Sequence, residues 1–575
     1  MRKGFVFSTV LVFFLCTIVF QPGGFSQVPS PQTIGGVTQQ EKDIEQKRGL
    51  EKKIQTERVS PEDQISEVEI PDDGGPKVMV RQITVEGATL LSQPEIRNIV
   101  GPFEGKSLTM SAIQKIADLI TDAYRQKGYV TSRAYVPPQT IRTGALLIRV
   151  VEGKLGKLDI RGNKYFKTSL IEKKLDLQED GYFDYSALQQ SLVYINEAPD
   201  RTARAVLAPG VQAGTTDIII EVEDQMPIHV GFEYDNYGSR YIGGDRYGFV
   251  FEHNNLLGFD DKLYFKYQIS DSTRLKLRQF RYSVPVARGW DVGFYYLKSK
   301  LTLGKEFLAV DARGDAEIWG LFTNKALITR DDLDVRANLG FDYKRIRNYL
   351  FGAQSSRDAV RMLKAGVDID FTDKWGRNIL TPELDIGLPT IFGGMAAKDP
   401  NASRAGAGNR FYKGIMNYFR LQPMPWETSL LWKNSVQYTN YNLVASEQFQ
   451  IGGPTSVRGY PPAEFSGDKG WYTSLEWSVP FYFLGQKDTK VPFTKDVRLY
   501  DALRFVAFYD WATTHLNSPV VGQEKHETIR GAGFGLRLNV GENFTCRVEI
   551  GYPIGGKTPS DGTHAHPWVE TTWKF

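Results

Sequence analysis

Lys262-Leu263-Tyr264-Phe265-Lys266-Tyr267-Gln268-Ile269 sets Leu263, Phe265, Tyr267 and Ile269 against Lys262, Tyr264, Lys266 and Gln268. Successive side chains of an extended chain point to opposite faces, so this stretch is a strand with one apolar and one polar face. The same alternation recurs in Val335, Ala337, Leu339, Phe341 and Tyr343, and in Val367, Ile369 and Phe371 against Asp368 and Asp370. It returns in Phe534, Leu536, Leu538 and Val540, then in Phe544, Cys546, Val548, Ile550 and Tyr552 against Thr545, Arg547 and Glu549. Taken singly, such strands fit a soluble sandwich with apolar faces inward or a membrane barrel with apolar faces outward. Their number separates the two, because at roughly 22 residues per strand and loop the segment 226–575 holds about 16 strands, a common barrel size and too many for one sandwich. The expected fold is mainly β, a 16-stranded transmembrane antiparallel β-barrel over 226–575.

Upstream the period changes. From Val78 the order is strand, helix, helix, strand, strand, with Arg81 to Val85 alternating and Ser92-Gln93-Pro94-Glu95 carrying a capping-box spacing. Ile113, Ile116, Ala117, Ile120 and Tyr124 share one helical face, and Gly128 ends that helix. The order repeats from Lys157 to Val222, which predicts two small α+β domains in tandem, 77–153 and 154–225. Residues 27–76 read as a linker closed by Pro71-Asp72-Asp73-Gly74-Gly75-Pro76. Within it about 39–58, Gln39 to Arg58, can form a helix whose strong apolar residues are Ile44, Leu50 and Ile54, too few for a core face. At the start, Arg2 and Lys3 precede an apolar run from Phe5 to Phe20 and the breakers Pro22, Gly23 and Gly24, so residues 1–26 read as a secretory signal peptide.

After cleavage only Cys546 remains, which excludes an intramolecular disulfide framework and a cysteine metal cluster. A net charge of +3 over 575 residues gives no basis for nucleic-acid binding. Gly551-Tyr552-Pro553-Ile554-Gly555-Gly556-Lys557-Thr558 has the spacing of a phosphate-binding loop, yet Pro559-Ser560-Asp561-Gly562 follows where a helix should begin. Gly531-Ala532-Gly533-Phe534-Gly535 runs straight into an alternating strand and reads as barrel wall with small residues toward the lumen. His564 and His566 lack an obvious third ligand and read as a surface turn. No serine elbow, zinc-protease helix or Cys-His pair is present, so neither an enzyme nor any cofactor or metal is expected.

Two pieces stand apart chemically. Ile451 to Tyr460 is a glycine-rich segment bearing one arginine, Arg458. In Arg504 to Trp511 the aromatic set Phe505, Tyr509 and Trp511 suits lipid, which turns Val506, Phe508 and Asp510 into the lumen. A carboxylate in a confined interior needs a partner, and a guanidinium on a mobile loop can supply it bidentately. The expected lumenal pair is Arg458 with Asp510, with Glu549 as the alternative carboxylate. At the carboxyl end Val569, Thr571, Trp573 and Phe575 alternate against Glu570, Thr572 and Lys574, which suits a last strand closing a barrel.

Val457-Arg458-Gly459-Tyr460 followed by Phe508-Tyr509-Asp510 resembles the signature of the POTRA-plus-barrel superfamily. Asp235 to Arg240, Asn254-Asn255-Leu256-Leu257-Gly258 and Tyr282-Ser283-Val284-Pro285 resemble the haemolysin and filamentous-haemagglutinin transporters of two-partner secretion. The resemblance implies an outer-membrane pore with periplasmic POTRA 1 (77–153) and POTRA 2 (154–225), and an N-terminal helix able to plug it. It also implies a lumenal loop whose arginine meets the aspartate, and Trp573 and Phe575 as a C-terminal assembly signal. The implied partners are an unfolded secreted polypeptide that becomes β-helical outside, outer-membrane lipid, and the barrel-assembly machinery during biogenesis. A barrel-assembly factor is the alternative function, against which two POTRA-like repeats weigh. Ala512 stands where the family usually shows glycine.

Overall fold

The computed structural model describes residues 33–55 and 77–575, except 142, 178–180, 213, 331, 482–488, 492–496, 521 and 542. The signal-peptide reading and the Pro71 to Pro76 linker lie outside the described residues.

The first α+β unit has a three-stranded sheet. Ala145–Val151 is its centre, with Gln82–Glu86 parallel on one side and Arg133–Tyr135 antiparallel on the other. Its helices behave as their caps require. Ser92 N donates to Glu95 Oε2 at 2.8 Å before Gln93–Val100, and Thr109 Oγ1 accepts from Ala112 N before Met110–Gln126. Gly128 then takes a φ of +89°, open to glycine at little cost. Ile113, Ile116, Ala117, Ile120 and Tyr124 all enter the core. The second unit repeats the topology: Thr215–Asp224 is central, with Lys154–Arg161 parallel and Arg201–Pro209 antiparallel. Each unit therefore has two outer sheet edges, paired to no further strand among the described residues save for a bridge between Lys154 and Tyr182.

Each joint has a carboxylate beside it. Glu152, at the end of the first unit, accepts from Tyr124 Oη at 2.6 Å, Leu90 N at 2.8 Å and the Thr89 hydroxyl of that unit, and so places Thr89 Oγ1 2.9 Å from Tyr182 Oη of the second; Tyr185 N also crosses to Gly128 O at 2.9 Å. Between the second unit and the barrel, Asp260 on the turn after the second barrel strand receives Arg201 Nη1 and Nη2 at 3.1 and 2.8 Å and the Lys174 ammonium at 2.5 Å.

Sixteen strands, from Ile228–Asp235 to His566–Lys574, close into an antiparallel barrel. Trp573 stands opposite Phe232 at the seam, and Phe575 exchanges backbone hydrogen bonds with Val230 at 2.9 and 3.2 Å. The alternation sorts as a barrel in lipid requires: Lys266 and Gln268 are 2% exposed in the lumen, while Leu321 on the outer face is 63% exposed. The inward-apolar arrangement of a sandwich is thereby excluded. Ala512 keeps regular pairing, opposite Tyr472 and Ile529.

A long helix, Ile34–Gln55, accompanies the barrel. It begins at Ile34, not Gln39, and its described part ends at Gln55, short of Arg58. Gly35 and Gly36 are poor helix formers, so they hid the first turn; here they permit close approach, since a Cβ on Gly35 would lie 3.3 Å from Ser446 Cβ. Ion pairs reach this helix from strands around the barrel. Arg48 Nε meets Glu570 at 2.7 Å, Lys42 meets Asp342 at 3.5 Å, Lys53 meets Asp370 at 3.4 Å, and Glu41 meets Arg246. Partners on strands at opposite sides of a closed barrel put the helix inside the lumen. Its few apolar residues sit in small clusters: Ile34 and Val37 with Leu275, Leu301 and Ile346, Ile44 with Tyr237 and Trp568, and Ile54 with Phe419 and Leu431.

Candidate functional site: a loop clasped in the lumen

The segment between strands Thr428–Tyr438 and Lys469–Pro480 turns inward through a short hairpin, Phe449–Ile451 paired with Phe465–Gly467. Gly452 and Gly453 have φ of +101° and +93°, and a Cβ on Gly452 would lie 2.5 Å from Pro461 O. Only glycine makes this turn without strain. The tip closes on itself through Gly453 N to Tyr460 O at 2.9 Å.

Arg458 stands at that tip, 1% exposed. Its Nε and Nη2 donate to Asp510 Oδ2 and Oδ1 at 2.8 and 2.7 Å, and its own backbone N donates to Oδ2 at 3.1 Å. Its Nη1 meets Glu549 Oε2 at 3.0 Å and Glu476 Oε1 at 2.8 Å, and Nη2 reaches Ser474 Oγ at 3.2 Å. The guanidinium lies 3.3 Å from the centroid of Phe508. A planar fork suits this use, since it binds one carboxylate bidentately, a second by its far edge, and stacks on an aromatic face. The structure thus brings Arg458 to Asp510 and Glu549 together, and adds Glu476.

Flanking residues hold the loop against the wall. Trp568 Nε1 donates to Arg458 O at 2.8 Å and Tyr460 Oη to Lys557 O at 2.8 Å, while Val457 and Tyr460 bury against Ile451, Tyr472, Ala512 and Ile529. The wall beneath is glycine. Register aligns Glu476, Phe508, Gly533 and Gly551 across four neighbouring strands, one step from Ser474, Asp510 and Gly531. A Cβ on Gly551 would lie 2.3 Å from Arg458 O, and one on Gly531 3.0 Å from Gly459 N. The phosphate-loop spacing at Gly551 to Thr558 and the Gly-Ala-Gly-Phe-Gly run therefore belong to this bed. The former closes a strand, Phe544–Ile554, and enters a turn.

The site extends to the helix. Glu476 also takes Lys433 Nζ at 2.6 Å and Arg537 Nη1 at 2.9 Å; Arg537 Nη2 meets Glu549 at 2.5 Å. Lys433 and Arg547 each reach Glu51 of the helix at 2.8 Å. Arg458, Arg537, Lys433 and Arg547 balance Asp510, Glu476, Glu549 and Glu51, so the buried network is formally neutral. Sequence reasoning passed over Glu476, Arg537, Lys433 and Glu51. Their signal is their place on polar strand faces, which many other charges share. His566, expected in a surface turn, instead begins the last strand and is buried: its Nε2 lies 2.9 Å from Asp561 Oδ2 and 2.7 Å from Thr563 Oγ1, and its ring stacks on Trp568 with centroids 5.9 Å apart. Trp573 and Phe575 stack with centroids 5.4 Å apart on the outer face at the seam.

Comparison with known proteins is consistent along the chain. Residues 214–497 match the family of the haemolysin secretion/activation proteins ShlB, FhaC and HecB, and residues 78–153 match the ShlB-type POTRA domain. Among relatives, the outer membrane transporter CdiB of Escherichia coli is 24% identical over 492 residues, covering 83% of this chain and 80% of its own. The heme/hemopexin transporter protein HuxB of Haemophilus influenzae is 22% identical, covering 82% of each chain. The solved structure of CdiB from Escherichia coli superposes with a TM-score of 0.76 at 22% identity, over 95% of this chain and all of that one, and shows the same fold.

Proposed function

From the premise that this chain belongs to the haemolysin secretion/activation family, we propose that it is an outer-membrane translocation pore that exports a partner polypeptide. Its barrel spans the outer membrane and its POTRA units lie in the periplasm. The client arrives unfolded and adds a strand to an exposed POTRA sheet edge through main-chain hydrogen bonds, which select extended chain more than sequence. It then passes through the lumen and folds outside as a β-helix, so that folding supplies the direction without ATP. Lipid surrounds the apolar face, and the barrel-assembly machinery inserts the chain, reading the end at Trp573 and Phe575.

One observation carries this reading: the helix in the lumen is held by ion pairs along its length, and its apolar contacts are confined to separate clusters at Ile34 and Val37, Ile44 and Ile54. The helix carries few apolar residues, and its partners Glu233, Asp235, Arg547 and Glu570 can be rehydrated when it leaves. A plug attached in this way can withdraw while exposing only those separate apolar clusters. The test is co-expression with a secreted partner and measurement of that partner in the medium. Export that needs the POTRA units and stops when the loop is altered supports the pore. Undisturbed export with a failure to insert other barrels supports an assembly factor instead.

A further inference from the structure

The outer face of the barrel is not uniform around its circumference. The first strand leaves the POTRA end at Ile228, the second returns and the third goes out again, so Leu275 begins the fourth strand at the end remote from POTRA 2. There the residues of strands Leu275–Ala287, Trp290–Thr302, Arg313–Thr329, Leu333–Leu350 and Ala353–Asp373 fall into register rows. Leu277, Ser299, Ala316 and Ile346 form a buried lumenal row. The rows flanking it face outward. One aligns Lys276, Lys300, Asp315, Arg347 and Arg357; the other aligns Arg278, Lys298, Glu317 and Arg345. A step nearer the membrane centre, Phe280, Tyr296, Trp319 and Tyr343 make an aromatic row.

Cations outnumber carboxylates in this patch, and both carboxylates are engaged. Asp315 accepts Arg347 at 2.7 Å and Glu317 accepts Tyr296 Oη at 3.2 Å. Lys276, Lys298, Lys300 and Arg357 make no carboxylate pair among the described residues, and all but the half-buried Lys298 are exposed. With strands about 4.8 Å apart and alternate residues nearly 7 Å apart, the charges cover a strip about 20 Å wide and two rows deep. On the other side of the barrel the outward residues at the same end include Tyr412, Tyr438 and Trp471, with Lys469 lying over the Tyr438 ring at 4.5 Å. An aromatic row marks the depth where acyl chains give way to headgroups, so the cations lie at headgroup level.

We propose that this strip, Lys276, Arg278, Lys298, Lys300 and Arg345 foremost, binds the phosphate groups of a phosphorylated glycolipid in the outer leaflet. The inference rests on the outer-membrane reading above. Arginine forks and lysine ammonium groups offer the donors that phosphate oxygens accept, the aromatic row below packs on the sugar and upper acyl carbons, and Lys276, Lys298 and Lys300 are held by no protein carboxylate among the described residues. The lipid thereby orients one side of the barrel.

Purified full-length protein in nanodiscs of phosphatidylcholine, doped with bis-phosphorylated lipid A or with the same lipid dephosphorylated, tests the assignment by native mass spectrometry of retained lipid. The intact protein retains the phosphorylated form at least about ten-fold over the dephosphorylated one, since each basic residue near such a surface contributes roughly five-fold. Lys276→Gln with Lys298→Gln and Lys300→Gln removes most of that preference while heat-modifiable mobility persists. Equal retention of the two lipids by the intact protein overturns the proposal without any variant, as does an undiminished preference in the triple variant. A barrel that inserts and exports yet shows no preference removes this inference alone; failure to enter nanodiscs removes the pore reading with it.

Discussion

Arg458 and Asp510 form a buried bidentate ion pair, with Nε and Nη2 donating at 2.8 and 2.7 Å. The residues come from a lumenal loop and from a barrel strand 52 positions later. Breaking a fully buried pair by removing one partner costs about 3–5 kcal/mol, and less where water can enter. Arg458→Ala and Asp510→Ala are each expected to impair export strongly while leaving a heat-modifiable barrel. Their combination is expected to fall well short of additive, because either one alone already frees the loop. Additive losses in secretion would mean that the pair is not the clasp. Arg458→Lys is expected to behave nearly as Ala, since an ammonium cannot serve Asp510 and Glu549 as one planar fork.

Deleting Ile34 to Gln55 is expected to raise single-channel conductance in planar bilayers. The helix is about 33 Å long at 1.5 Å per residue, comparable to the hydrocarbon thickness it would obstruct. Glu51→Gln is the milder form, since it weakens the hold of Lys433 and Arg547 on the helix and should give more frequent openings. Conductance identical to the intact protein in both variants would rule the helix out as a plug.

Removing Val78 to Glu152 is expected to abolish export while the barrel still inserts, because the first POTRA unit offers client-accessible sheet edges at Gln82–Glu86 and Arg133–Tyr135. Full secretion by the truncated chain would reduce that unit to a spacer.

The joint between the units should respond to acid. Burial pushes the Glu152 carboxyl up, but hydrogen bonds from Thr89, Tyr124 and the Leu90 and Thr89 amides outweigh it and hold it below the ordinary value. A depressed carboxylate contributes stability that is complete above the unfolded value, about 4.3, and is lost as pH falls through the lower folded value. Spin labels placed on the two units should therefore keep one sharp distance from neutral pH to about 5 and broaden below about 4. Glu152→Gln should be broad already at neutral pH, at a cost of about 1–3 kcal/mol for the donors left short. A distance insensitive to both changes would leave Glu152 without a role in the joint.

At the seam, deleting Phe575 removes its two backbone hydrogen bonds with Val230 and the ring stacked on Trp573. Assembled, heat-modifiable barrel should drop several-fold relative to a Lys574→Gln control, as read from outer-membrane fractions.

The amino-acid sequence alone determined the period of each segment, and through it the architecture. Leu263 to Ile269 must put like residues on one face of a strand, and Ile113 to Tyr124 must put theirs on one face of a helix, because both follow from geometry within a few residues. The lumenal position of Asp510 followed in the same way from Phe505, Tyr509 and Trp511 beside it. Which charges meet was decided by tertiary structure. Asp510, Glu476 and Glu549 stand on three different strands, and only closure and register set them around one guanidinium. Glu51 joins them because the lumen is wide enough for one helix, and Ile34 to Val37 become helical because Gly314, Leu275 and Ile346 receive that turn. Coulomb attraction between residues tens to hundreds of positions apart has no periodic trace in sequence. It becomes specific when the barrel fixes the distances and excludes the water that would otherwise screen it.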